Sequence, residues 1–208
     1  QAADTGLFKS EIVGCTGLNA NGVLTFIDRD QSIRSDANLA AMKQLKPVFL
    51  PKIGSITAAT SAPMSDGAAA MVVMSEATAR RHQITPMVRV LSTAVIGVSP
   101  ALMGMGPVYA TRKLLHRSGI HLRDIELFEI NEAFAAQAMA CVEELKLDHD
   151  RINVCGGSLA IGHPLGASGA RISTTLIHAM RDRQVCLGLA TMCIGLGQGI
   201  AVVFELIE

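Results

Sequence analysis

From residue 86 onward the chain alternates short apolar runs with stretches of helical character, and this alternation constrains its fold more than any other feature. Val88–Val98 reads as a strand. Pro107 opens a helix as a first-turn proline, and Gly119 stops it after Ser118. Asp124–Ile130 contains the short strand IELFEI. Asn131 heads NEAFAAQAMACVEEL, a strongly helical run, with Asn131 as its N-cap and Glu132 near its positive end. Arg151–Val154 reads as a short strand and Ala167–Arg181 as a third helix. Val185–Met192 and Gly199–Leu206 read as two strands joined across CIGLGQ. The order βαβαβαββ predicts an α/β layer fold, with helices covering a mixed sheet.

The upstream part is different. Residues 1–50 are the most polar, with a turn at NANG (Asn19–Gly22) and a charged stretch from Asp28 to Asp36. Leu39–Lys46 has helical character, ended by Pro47 and Pro51. Ala68–Met74 reads as a buried strand or tightly packed segment, Glu76–His82 as a short helix, and Pro86 as a boundary.

Composition excludes several function classes. Half of the 208 residues are apolar but only 3% are aromatic, so the core is aliphatic. Lys+Arg and Asp+Glu balance at 18 each, which argues against nucleic acid as a partner. Five cysteines lack CxxC spacing, so no metal site is expected, and a reducing, cytoplasmic location is. The uncharged runs at 90–111 and 185–204 are broken by Gly, Pro and Gln, and read as strands and turns rather than transmembrane segments. A start at Gln1-Ala2-Ala3 suggests a processed product or fragment.

The candidate chemistry collects where strands end. Asn131 and His163 follow strands, and Cys193 falls in the turn between the last two; ligands gather at such strand ends in open α/β sheets. His163 lies in GGSLAIGHPLGASGAR (Gly156–Arg171), a stretch with five glycines and no charge before Arg171. The amides of Gly195 and its neighbours could form an anion nest. An amide, an imidazole and a thiol are tools for acyl transfer through a thioester. Taken singly, each has an ordinary structural role open to it: a cap, a loop histidine, a small core residue. There is no GK[ST], and the GxGxG at Gly195–Gly199 lies between strands, so neither nucleotide fingerprint applies.

The combination resembles a family. NEAFAAQ (Asn131–Gln137), GGSLAIGHPLGASGAR and CIGLGQGIAVVFE (Cys193–Glu205) look like the three C-terminal signatures of thiolases, and SDGAAA (Ser65–Ala70) and MGMGP (Met103–Pro107) also match. The resemblance covers nearly the whole chain and is strongest to members that cleave 3-ketoacyl-CoA in fatty-acid β-oxidation. It implies the thiolase fold: a C-terminal βαβαβαββ half at 86–208, the end of a CoA-covering loop domain at 1–60, and the tail of the N-terminal half plus a linker at 61–85. In that frame His163 activates a nucleophilic cysteine and helps form an oxyanion hole, which Asn131 completes through a water. Cys193 is the acid and base, Gly195 supplies an oxyanion N–H, and Met103 and Phe134 line the acyl pocket. Many members place a pantetheine-contacting serine where this chain has Ala62; neighbouring Ser61 would take that contact. The nucleophile would lie upstream of Gln1, since Cys15 sits in a polar loop segment. Coenzyme A would be a substrate, with no cofactor. The implied partners are a second copy and a hydratase/dehydrogenase α subunit, in a heterotetramer. The chain alone is then expected to be silent and prone to association. The alternatives are an acetoacetyl-CoA thiolase working in synthesis and a non-catalytic acyl-CoA-binding chain.

Overall fold

A computed structural model describes residues 1–19 and 21–207. The elements are β1 (Cys15–Leu18), β2 (Leu24–Ile27), α1 (Leu39–Met42), α2 (Glu76–Arg81), β3 (Val88–Gly97), α3 (Gly106–Ser118), β4 (Leu127–Ile130), α4 (Ala135–Leu145), α5 (Ser158–Ile161), α6 (Ser168–Arg183), β5 (Leu187–Ile194) and β6 (Gln198–Leu206). β1 and β2 form a hairpin, pinned where Asn19 Oδ1 accepts from the N–H groups of Asn21 and Val23.

The main sheet has the order β3-β6-β5-β4. β6 is antiparallel to both neighbours, while β4 runs parallel to β5. Each strand divides its side chains between two faces with period two. Ala94, Phe128, Ile130, Leu189, Ala201 and Val203 pack with Ala110 and Leu114 of α3 and Val142 of α4. Leu127, Ala190 and Phe204 pack on the opposite side with Ile172, Leu176, Ile177 and Met180 of α6. The result is a three-layer α/β/α arrangement, and the expected α/β class is borne out. Glu129 shares the α6 face with Leu127, because it is two residues on.

Several local expectations hold for identifiable reasons. α3 begins with Pro107 in its first turn and ends at Gly119, whose φ of 73° an L side chain would strain. Ser75 caps α2 by accepting from Thr78 N–H. Others are corrected. β4 covers only the last four residues of the Asp124–Ile130 run, because Leu122–Asp124 forms a 3-10 turn closed by His121 and Asp124. Leu39–Lys46 yields just the single turn of α1. Ala68–Met74 is not a buried strand: Val72 and Val73 are exposed, and no described strand pairs with them. Arg151–Val154 is reduced to two isolated parallel bridges, Phe128↔Ile152 and Val154↔Gly156. Asn153 has φ 45°, which breaks the extended backbone, and its side chain substitutes for the ladder: Oδ1 accepts from Ile130 N–H and Nδ2 donates to Ile130 C=O.

The start of α3 lies directly on β6. A Cβ on Gly199 would fall 2.1 Å from Gly106 O, and one on Gly106 would fall 2.3 Å from Gln198 O. Both obstacles are backbone, so relief requires moving a helix off a sheet. We expect Gly199→Ala and Gly106→Ala each to destabilise the protein by about 1–3 kcal/mol, the usual range for overpacking. Urea unfolding midpoints measure this, and a loss below about 0.5 kcal/mol, the scatter of an ordinary surface change, would mean the two backbones separate easily.

Candidate active site

Asn131 is the first residue past β4, and its N–H still donates to Thr191 C=O of β5. It does not cap α4, which starts four residues later with Phe134 at the N-cap. The reason is burial. Asn131 is fully buried, so its amide must find partners inside the protein, and it finds them away from the helix. Ser158 Oγ donates to Asn131 Oδ1 at 2.7 Å, and Asn131 Nδ2 stands 3.2 Å from His163 Nε2. Glu132 serves a different helix end from the one expected. Its carboxylate accepts from Leu159 N–H in the first turn of α5 and from Asn153 Nδ2. That carboxylate lies over Gly157, where a Cβ would sit 2.4 Å from Oε2.

His163 is oriented from both sides. Its Nδ1 is 2.6 Å from Ser168 Oγ in the first turn of α6, and Ser168 Oγ donates its one proton to Pro164 C=O. Nδ1 must therefore be the donor to Ser168, which leaves Nε2 unprotonated and accepting from Asn131. Burial, and secondarily the positive charge of Arg171, push the His163 pKa down from its ordinary 6.5. The imidazole is thus a neutral base in a single tautomer. Gly162 precedes it with φ 97°, and a Cβ there would strike Ser65 Oγ. Two of the glycines in this stretch thus have definite uses: one admits a carboxylate and the other a left-handed turn.

Cys193 lies inside β5, not in the turn after it, paired with Gly199 of β6. It is two residues beyond Thr191, hence at the same end of the sheet as Asn131. Its thiol is buried, and that burial raises its pKa, so it is protonated near neutrality. Gly195 is exposed at the tip of the β5–β6 turn. Met103 lies in the 3-10 turn Pro100–Met105, which packs on α4 where Cys141 Sγ donates to Gly104 C=O. Phe134 pairs with Ser61, whose Oγ donates to Thr57 C=O. Around that pair, Ala62 N–H donates to Ala133 C=O and Ala135 N–H to Thr60 C=O; nearby, His163 N–H donates to Pro63 C=O. Segment 60–63 therefore braces both site loops. Among the described residues, the hydrogen-bonded set joins Asn131 and His163 directly; Cys193, Gly195, Met103, Phe134 and Ser61 stand outside it.

Two sections of the chain match known families. Residues 84–206 match the family described as "Thiolase, C-terminal domain", and residues 1–77 match "Thiolase, N-terminal domain". The chain belongs to the thiolase family. A 3-ketoacyl-CoA thiolase from Colwellia psychrerythraea is 54% identical over 202 residues, 96% of this chain and 52% of that protein. One from Yersinia pestis is 53% identical over 207 residues, 98% of this chain and 54% of that protein. Among solved structures, the Bacillus anthracis acetyl-CoA acetyltransferase superposes with TM-score 0.94 at 38% identity, covering 99% of this chain and 52% of that one. Human mitochondrial 3-ketoacyl-CoA thiolase in complex with CoA gives 0.88 at 34% identity, covering 99% of this chain and 51% of that one. This thiolase chain thus spans about half the length of the relatives it matches. No described helix is long and apolar enough to cross a membrane.

Sequence reasoning missed four residues of the site. Ser158, Ser168 and Arg171 sit among glycines, where hydroxyls read as turn chemistry; the one available signal is that Ser168 and Arg171 are three apart at a helix start. Glu129 is a lone charge in a four-residue strand that is buried throughout. Arg171 Nη2 donates to Ser158 Oγ at 2.7 Å, and Nη1 lies 3.8 Å from Glu129 Oε2, too far for a hydrogen bond.

That distance leaves the burial of Glu129 uncompensated, and its pKa is pushed up to about 8. A carboxyl whose native pKa exceeds its unfolded value of 4.5 binds a proton more tightly when folded. Its contribution is fully present below pH 4.5 and is lost as pH rises through about 8. Glu11, pushed up to about 7 by burial, acts in the same direction. Lowered His163 acts oppositely, losing stability as pH falls below the ordinary 6.5. Glu129→Gln is expected to flatten the decline in unfolding free energy between pH 4.5 and about 8. Urea titrations across that window measure the slope; an unchanged slope would mean Glu129 is ionised in the native state.

Proposed function

We propose that the protein carrying this chain is a 3-ketoacyl-CoA thiolase of fatty-acid β-oxidation, cleaving its substrate with CoA to acetyl-CoA and a shortened acyl-CoA. The observation that carries the reading is the neutral, single-tautomer His163 held by buried Asn131 beside the Cys193 strand end, in a chain over half identical to proteins of that name. A cysteine thiol supplied by the part of the protein that precedes this chain gives its proton to His163 and attacks the 3-keto carbonyl as the thiolate. The bond between C2 and C3 then breaks. The raised thiol of Cys193 protonates the departing acetyl-CoA enolate, and the resulting thiolate deprotonates the incoming CoA, which attacks the acyl thioester. Asn131 completes an oxyanion hole with His163, and the N–H of Gly195 serves a second.

Met103 and Phe134 line the acyl pocket; the packing of the Pro100–Met105 turn on α4 supports that placement. Ser61 contacts pantetheine in place of the serine absent at Ala62, its Oγ keeping lone pairs free while donating to Thr57. Residues 1–60 end the CoA-covering loop domain, 61–85 are the tail of the N-terminal half with its linker, and 86–208 form the C-terminal domain. The enzyme uses CoA as substrate, with no cofactor or metal. It works in the cytoplasm, which suits the free thiols of Cys15, Cys141, Cys155 and Cys193. Exposed Val90, Leu91 and Val95 on edge strand β3 support an association surface, in keeping with a homodimer inside a heterotetramer with a hydratase/dehydrogenase α subunit.

A second reading, an acetoacetyl-CoA thiolase, is favoured by the close superposition on the Bacillus anthracis acetyl-CoA acetyltransferase. Comparing kcat/KM for acetoacetyl-CoA with long-chain 3-ketoacyl-CoA separates the two. Cys193→Ala is expected to cost about 10²–10⁴ in thiolysis, the usual contribution of a positioned acid or base. A stable acyl adduct, seen by intact mass, should persist in that variant. Wild-type turnover by Cys193→Ala would sink the assignment.

A further inference from the structure

Arg171 is an expensive residue to bury. Its side chain is 16% exposed and faces Glu129, which is 2% exposed, across 3.8 Å. Among the described residues, Arg171 Nε and Nη1 and Glu129 Oε1 make no hydrogen bond. A buried pair with such incomplete bonding is poor support for stability. The hydrogen bond Arg171 does make is a good one, 2.7 Å to Ser158 Oγ. Guanidinium only donates, so the single Ser158 proton must go to Asn131 Oδ1. That choice fixes the Asn131 amide, with Oδ1 toward Ser158 and Nδ2 toward His163. On its other side His163 bonds Ser168. Ser168 and Arg171 are three residues apart in the first turns of α6, on one helix face.

We propose that Arg171 and Ser158 are positioning residues of the reaction, holding the Asn131–His163 pair in a closed ring: Arg171, Ser158, Asn131, His163, Ser168 and back through α6. The inference rests on the thiolase reading, since it assigns these residues to the base and oxyanion pair. Neither touches the reacting atoms. They act by fixing the orientation of the amide and, in the case of Arg171, by disfavouring a second positive charge on the imidazole. The charged group bearing on His163 is Arg171 of α6. Around Arg171 stand Glu129 of β4 and, from the N-terminal segment, Glu11 and Asp30; Glu132 bears on Glu129.

The test uses Arg171→Met, Arg171→Lys and Ser158→Ala in the protein that carries this chain. Arg171→Met leaves behind a carboxyl that can take up a proton, which favours its folding; Ser158→Ala breaks the ring without removing a charge, although it takes from Arg171 its hydrogen bond to Oγ. Both should lower kcat by about tenfold to hundredfold, the scale of a misplaced catalytic group, with KM changed far less. Arg171→Met should also move the acid limb of the kcat/KM profile to higher pH, whereas Arg171→Lys, which keeps the charge, should leave the limb in place and recover part of kcat. Nitrogen chemical shifts of His163 should report a mixture of tautomers in Ser158→Ala and a single one in the parent. Folded variants with parental kcat, acid limb and His163 shifts would overturn the ring. If the parent itself shows no thiolysis, the functional reading falls, and the His163 shifts alone decide whether the ring holds the imidazole.

Discussion

Asn131 brings a polar amide to the end of a fully buried strand, and this obligation organises everything near it. An amide there must satisfy both its oxygen and its nitrogen without bulk water. Ser158 meets the first need and His163 the second, so two separate loops are drawn to one point. The parallel pairing of β4 with β5 then sets where that point lies, because Asn131 continues the ladder to Thr191 and Cys193 follows two residues later. The chemistry is thus located by strand register, and strand register is specified by which residues are apolar.

Burial tunes the site in two opposite senses. It lowers the proton affinity of His163 and raises that of Cys193, so near neutrality one group is an empty base and the other a loaded acid. Such a separation of proton affinities is what a reaction needing both attack and protonation requires. On the other face of the sheet, the same physics pushes the pKa of the Glu129 carboxyl up to about 8, opposite Arg171.

Where structure is dictated locally, the sequence was legible. The start and stop of α3 follow from Pro107 and Gly119, and the two last strands follow from their aliphatic runs. His163 and Cys193 are singled out by motif resemblance, and nothing their neighbours force marks them. Asn131 was read as a helix cap because asparagine before a helical run usually is one; the tertiary demand of burial overrode that local logic. The strand expected at Arg151–Val154 is lost for a related reason, since the Asn153 side chain does the work of a backbone ladder and no pattern of apolar residues reports it. Arg171 and Ser158 could be recognised only once β4, α5 and α6 were brought together.

The spacing of Ser168 and Arg171 on α6 has a mechanical consequence. Their separation is set by the pitch of a single hydrogen-bonded helix and not by the packing of one element on another. When α6 slides or rocks against the sheet, both attachment points travel together, and their displacement relative to each other stays small. Thermal motion of the layer therefore reaches the imidazole and the amide as a shared translation, which leaves the distance between them largely unmodulated.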